Sequence, residues 1–326
     1  MRWRDDAYRV LIGSLCAACA VFLLNGCSKP AAAPQLTYAG QYYPEEFLLQ
    51  QDPFWDGSNN VYQLFPSGTE GNEALIAGRV DANVASDTKS VALFTAIPER
   101  AVIIACVQSG DRYATVVASG NAALSWEDLK GKTVATRMGS GAEVVLRRYY
   151  AAHGLAWEDF NYVNLDVVDM IGALKTGHID AFTAWSVTPE LAEAQGVGRR
   201  LPTSYAEFAA PACIHTTTTA IEHKREQLVQ LLVTHLKKAK MIKDDPHAAA
   251  AAAAREASRK GVNIPEAAFL AAFQRIDFEI RLDPQVIEAI RSTAAFMVER
   301  KMIDHAPPIT SDPRLLEDAR KRLETP

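Results

Sequence analysis

Short apolar runs punctuate the first two thirds of the chain, and stretches with helical character lie between them. Residues 36–40, 61–65 and 80–85 read as strands, while 45–51 and 67–77 read as helices, with Pro44 suited to a first helical turn. This β-α-β-α-β order predicts a mostly parallel sheet covered by helices on both faces. Residues 101–107 form a continuous apolar run, as expected of a strand buried on both faces. Ser109, Gly110 and Asp111 break it and 113–118 resumes, which marks a crossing from one lobe to another. A second alternation follows: a strand to 135, a helix over 140–153, a strand over 161–165, a helix over 167–176, a strand over 179–185 and a helix over 189–195. Residues 211–219 carry the chain back, and from Ile221 onward the pattern is mainly helical. Leu228, Leu231, Leu232, His235 and Leu236 follow 3–4 spacing, as do Val286, Ile287 and Ile290.

The two alternations share wording. Ala74-Leu75-Ile76-Ala77-Gly78-Arg79-Val80-Asp81-Ala82 returns as Ala173-Leu174-Lys175-Thr176-Gly177-His178-Ile179-Asp180-Ala181. Each reads as a helix end, a glycine stop and a new strand, because the residue just past a helix often needs a positive φ that a Cβ penalises. Ser67-Gly68-Thr69-Glu70 and Ser140-Gly141-Ala142-Glu143 both fit the S-x-x-E capping box that opens a helix. The chain therefore looks built from two related α/β lobes. Asp81 and Asp180 belong to the repeated phrase and are expected to serve turns rather than a ligand.

The first 26 residues change the picture of location. Arg2, Arg4 and Arg9 precede an almost wholly apolar stretch from Val10 to Leu24, which suits a signal-peptide core and is short for a membrane span. Leu24-Asn25-Gly26-Cys27 resembles the lipobox of bacterial lipoproteins, which makes Cys27 the expected acylated first residue of the mature chain, although Asn25 is an unusual occupant. An ordinary secretory signal cut nearby is the alternative. Residues 27–35, rich in Ala and Pro, read as a tether. The folded part is thus expected outside the cytoplasm, in the periplasm or at the cell surface, with lipid as its only membrane anchor.

Without residues 1–26 the net charge is −6, against −5 for the whole chain of 326 residues. Mild acidity argues against nucleic acid, which requires a basic footprint. Cys16 and Cys19 fall in the signal core, so their spacing carries no redox or zinc chemistry. Cys106 and Cys213 remain, each in a strand-like run. An oxidising compartment permits a disulfide between them, while the preference of cysteine for burial favours two free thiols. His178, His215 and His223 lack metal-ligand spacing, and no G-x-x-x-x-G-K-(S/T) loop is present. No metal, cofactor or catalytic residue is expected.

Taken in order, the lipobox, the two Gly-x-(Val/Ile)-Asp-Ala phrases, Asp128-Leu129-Lys130-Gly131-Lys132 and Trp185-Ser186-Val187-Thr188-Pro189 resemble the solute-binding proteins of ABC importers. The group most similar is the nitrate, sulfonate and taurine binding class, related to thiamine-precursor binders. Its Trp-x-x-Pro segment has one extra residue here. The resemblance implies a type II periplasmic-binding fold, α/β, with lobe 1 at 36–109 and 211–326, lobe 2 at 110–210, two crossing strands, and C-terminal helices returning to lobe 1. It also implies a monomer that delivers a small molecule to a membrane permease fed by a cytoplasmic ATPase.

In open α/β sheets ligands bind beyond the carboxyl ends of the strands. That rule selects Gln41, Tyr42, Ser67, Gly68, Thr69, Ser86 and Asp87 in the first lobe, and Arg137, Ser140, Gly141 and Trp185 in the second. A helix N-terminus offers unpaired N–H groups and about half a positive charge, so the two Ser-Gly turns suit an anion such as a sulfonate, taurine or nitrate. The alternative is that the serines are caps only. Arg137 suits a bidentate pair with a carboxylate or sulfonate, or a simple ion pair. Trp185 and Tyr42 are cleft walls or core. Asp87, facing the cleft, would accept the amine of a zwitterion. A pyrimidine-type or other aromatic ligand held between Tyr42, Tyr43 and Trp185 is the main rival. An enzyme of related fold and a sensor module are more distant ones.

Overall fold

The computed structural model describes residues 35–56, 59–209 and 211–324. The expected signal segment, Cys27 and all but the last residue of the tether lie outside them. The chain opens with β1 (Thr37–Gly40), α1 (Glu46–Leu49), β2 (Val61–Leu64), α2 (Gly68–Ile76), β3 (Ala82–Ala85), α3 (Asp87–Ala96) and β4 (Ala101–Gly110). It continues through β5 (Tyr113–Ala118), β6 (Thr133–Thr136), α4 (Gly141–His153), β7 (Asn161–Asn164), α5 (Val167–Lys175), β8 (Ala181–Trp185), α6 (Thr188–Ala194) and β9 (Gly198–Arg200). The remainder is β10 (Ala212–Thr217), α7 (Thr218–Asp244), α8 (Pro246–Arg259), α9 (Glu266–Arg275), β11 (Ile276–Asp277), α10 (Pro284–Glu299) and α11 (Arg314–Glu324).

Two sheets result, ordered β11-β4-β10-β3-β1-β2 and β7-β6-β8-β5-β9. In the first, β1 pairs in parallel with β2 and β3, and β10 runs antiparallel to both β3 and β4. In the second, β6 pairs in parallel with β7 and β8, and β5 runs antiparallel to β8. The first sheet is a parallel triplet followed by β10, β4 and β11, and the second a parallel triplet followed by β5 and β9, each added strand antiparallel to the one before it, so most strands of each sheet still run one way. The antiparallel partners β10 and β5 are the strands that follow a crossing from the other sheet. Strand β4 is buried along nearly its whole length, as its unbroken apolar run requires.

The repeated phrase does the same work twice. Gly78 and Gly177 take φ of 69° and 72°, the left-handed region that glycine enters without strain. Immediately afterwards the Thr37 amide donates to Asp81 Oδ2 at 2.7 Å, and the Thr133 amide donates to Asp180 Oδ2 at 2.9 Å. Each aspartate thus satisfies the first amide of the neighbouring strand, β1 or β6.

One helix lies outside the sequence pattern and one expectation needs correction. Ser86, Asp87 and Thr88, just past the third strand, open α3. That helix is buried on several sides, at Thr88, Ser90, Val91, Leu93 and Phe94, so it shows none of the polar–apolar periodicity that marks a surface helix. The C-terminal helices return to the first sheet as expected, with α7 and α11 against β4 and α10 against α3, and they also reach the second, where α9 packs on α6 and α10 touches α4. Last, Cys106 and Cys213 are not free thiols. They face each other in register on β4 and β10 and are joined in a disulfide.

Candidate ligand-binding site

Three helix N-termini converge between the sheets. Ser67 caps α2 by accepting from the Thr69 amide at 3.2 Å, and Ser140 caps α4 by accepting from the Ala142 amide at 3.2 Å. Ser86 stands at the start of α3 without a side-chain cap bond. The capping boxes are not the reciprocal kind. Glu70 accepts from the Ser67 hydroxyl, and Glu143 accepts from the Gly139 amide at 2.6 Å. Backbone N–H groups at the helix starts remain directed toward the space in front of them, together with the positive end of each helix dipole.

That space is a cleft lined by Gln41, Tyr43, Ser67, Gly68, Thr69, Ser86, Lys89, Tyr113, Arg137, Ser140, Gly141 and Trp185. It encloses about 20 Å³, little above the ~10–15 Å³ that a single buried water needs. Its walls meet at several points. Lys89 Nζ donates to the Gly139 carbonyl at 2.7 Å. Arg137 reaches Glu70 at 3.5 Å and also pairs with Asp166. Within the second lobe, Gly141 has no room for a side chain, since a Cβ there would collide with the Tyr113 hydroxyl. Outside the cleft, Arg148 donates to Thr293 at 3.3 Å, tying α4 to α10.

Nine of the residues chosen from sequence line this cleft: Gln41, Ser67, Gly68, Thr69, Ser86, Arg137, Ser140, Gly141 and Trp185. Two do not. Tyr42 turns toward Phe47, its ring 6.2 Å away, and joins the packing around α1 and α8. Asp87 points into the protein, where it accepts from the Thr293 hydroxyl at 2.7 Å and lies 3.6 Å from Arg112. Burial raises the Asp87 carboxyl above its usual range, against the opposing pull of Arg112. It offers the cleft no carboxylate for an amine.

Lys89 and Tyr113 line the cleft and have no counterpart in the sequence reading, and Tyr43, weighed there only as an aromatic wall for a pyrimidine, lines it too. Lys89 sits in the first turn of the unforeseen α3. Burial and the neighbouring Arg137 charge hold its ammonium below the ordinary lysine value. Tyr113 begins β5 at the crossing, and Tyr43 precedes α1; both are almost fully buried apart from the face toward the cleft. Burial pushes the Tyr43 hydroxyl up to about 12 and raises that of Tyr113, so both are neutral at ordinary pH. The cleft thus holds hydroxyl donors, amide donors and two cationic side chains. Among the described residues no cluster of His, Cys, Asp and Glu is arranged to hold a metal ion, and no helix is long and apolar enough to cross a membrane.

A family model described as NMT1/THI5 like matches residues 60–249. No curated protein matches the chain. Solved structures share its fold. The alkanesulfonate-binding protein SsuA from Xanthomonas axonopodis pv. citri, bound to MOPS, superposes with a TM-score of 0.73 at 22% identity, covering 89% of this chain and 99% of that one. The periplasmic nitrate-binding protein NrtA from Synechocystis PCC 6803 does so with a TM-score of 0.68 at 13% identity, covering 90% of each chain. The desulfurization enzyme DSZB superposes with a TM-score of 0.64 at 14% identity, covering 89% of this chain and 99% of that one. At such identities the likeness is one of fold, and one fold hosts both binders and an enzyme.

Proposed function

The chain belongs to the NMT1/THI5-like family, and we propose that it is a solute-binding receptor that closes two lobes on a small oxyanion of the sulfonate, taurine or nitrate kind. The observation that carries this reading is the convergence of the α2, α3 and α4 N-termini, with Lys89 and Arg137, on one enclosed cleft between the sheets. Such an arrangement stabilises negative charge without a metal. Residues 36–109 with 211–326 form one lobe and 110–210 the other, and the segments between β4 and β5 and between β9 and β10 act as the hinge. Ligand favours the closed form only because it touches both lobes there.

The receptor hands its ligand to an ABC permease with a cytoplasmic ATPase, and it works outside the cytoplasm, anchored through acylated Cys27. The Cys106–Cys213 disulfide fits an oxidising compartment. No chemistry is performed on the ligand. The cysteines among the described residues are tied in that disulfide and do not line the cleft, so they offer it no thiol nucleophile.

The aromatic lining at Tyr43, Tyr113 and Trp185 supports a second reading, a planar pyrimidine-type ligand. A thermal-shift panel of nitrate, methanesulfonate, taurine, bicarbonate, small carboxylates and a neutral pyrimidine separates the two. An oxyanion present at a hundredfold excess over its Kd is expected to stabilise the protein by about 2.7 kcal/mol. Stabilisation by the pyrimidine alone would replace the oxyanion reading with the second one.

A further inference from the structure

Arg112 heads the fully buried side chains by volume, at 1% exposure. It lies where β4 gives way to β5, one residue before Tyr113. It does not line the cleft, yet it grips two residues that do. Its Nη2 donates to the Tyr113 hydroxyl oxygen at 3.0 Å, and its guanidinium also hydrogen-bonds the Tyr43 side chain. The same Nη2 stands 3.6 Å from Asp87 Oδ1, which balances its charge.

A guanidinium can only donate. Each tyrosine oxygen therefore accepts from Arg112 and keeps its own proton to give elsewhere. A hydrogen bond received from a buried cation also polarises the hydroxyl and strengthens the bond it donates. The Tyr113 hydroxyl also meets the Ser86 side chain, which itself lines the cleft, so a proton passed that way still ends on a group facing the ligand. Because Asp87 cancels the net charge, Arg112 acts through the direction of these hydrogen bonds rather than through a long-range field.

Resting on the cleft being the ligand site, we propose that Arg112 is the positioning residue that sets its specificity. It holds the Tyr43 and Tyr113 hydroxyls as donors, so the cleft selects a ligand end that carries acceptors only, an ionised oxyanion, over a heterocycle or amide that brings its own N–H groups. Tyr43 precedes α1 beside the first sheet and Tyr113 belongs to the second. One guanidinium thus sets the donor direction on both walls.

Isothermal titration with nitrate, methanesulfonate, taurine and thymine tests this on the full mature protein and on Arg112→Gln, Arg112→Lys, Tyr113→Phe and the Arg112→Gln/Tyr113→Phe pair. Arg112→Gln is expected to lower the ratio of oxyanion to thymine affinity at least about tenfold, the scale of one hydrogen bond to a charged group. Arg112→Lys should recover part of that loss. Tyr113→Phe should lose a similar factor, and the pair should lose no more than either change alone. A folded Arg112→Gln with wild-type oxyanion affinity, or two losses that simply multiply, overturns the inference while leaving the site intact. If Arg112→Gln fails to fold, Tyr43→Phe and Tyr113→Phe decide, and unchanged oxyanion affinity in both overturns it. A wild-type protein that takes up none of the oxyanions overturns the cleft reading and this inference together.

Discussion

Lys89 Nζ donates to the carbonyl oxygen of Gly139 at 2.7 Å, linking the first turn of α3 to the turn that precedes α4. One cation thereby faces the cleft and also fastens its two walls. Lys89→Met is expected to weaken an oxyanion by at least about tenfold and to shift the unliganded protein toward an open form. Titration reads the first effect and small-angle scattering the second; affinity and radius both unchanged would remove Lys89 from the site.

Arg137 divides its charge between Glu70 and Asp166. Arg137→Ala should weaken an anionic ligand and leave a neutral one unaffected, by less than the Lys89 change because two carboxylates already offset the guanidinium. A thermal-shift comparison of both variants ranks them, and unchanged anion affinity removes Arg137 from the site.

Gly141→Ala places a methyl group where the Tyr113 hydroxyl lies. Both residues belong to the second lobe, so the expected outcome is a folded protein whose Tyr113 hydroxyl is pushed aside, visible as a smaller ligand-induced rise in Tm. A normal rise would mean that the Tyr113 hydroxyl can move aside at no cost to the ligand.

The Cys106–Cys213 disulfide closes a sequence separation of 107 residues across β4 and β10. Replacing both cysteines with alanine should cost about 2–4 kcal/mol through the freed unfolded chain, measured by urea unfolding. A thiol titration of the unreduced, denatured mature protein should find neither cysteine free.

Burial pushes the Glu45 carboxyl from 4.5 up to about 7, with the Gln108 hydrogen bond and Arg112 opposing, and raises its neighbour Glu46 as well. A folded pKa above the unfolded one means that the folded state holds the extra proton. The contribution of Glu45 to stability is complete below the unfolded value and is lost as pH rises through the folded one. Glu45→Gln, which cannot ionise, should therefore gain in Tm relative to wild type between about pH 5 and about pH 8. Calorimetry across that window checks it, and parallel curves would show that Glu45 is already ionised in the folded protein.

Much of this architecture is legible from contiguous residues. The Ser-Gly turns, the glycine stops at Gly78 and Gly177, and the aspartates that follow act within a few residues of themselves, so reading them in the chain recovers both α/β repeats and most of the cleft. The unbroken apolar run around Ile103 and Ile104 likewise announces a strand buried on both faces. α3 escapes such reading because its neighbours bury it on several sides, which erases the periodicity that would reveal it, and Lys89 is missed with it.

What the sequence by itself determined is the duplicated α/β design, its stops and its caps, because those follow from local backbone geometry and side chains close in the chain. Only the tertiary structure decided where buried polar groups turn. Asp87 looks like a cleft residue until Thr293, 206 positions away, arrives to donate to it. Nothing near Arg112 in the chain singles it out, and only the fold encloses it with Tyr43 and Tyr113. The two cysteines become a bond because β10 returns to lie in register beside β4. In each case the deciding partner comes from a distant segment, and a buried polar atom takes whatever partner the fold delivers, since leaving it unpaired costs more than any local preference is worth.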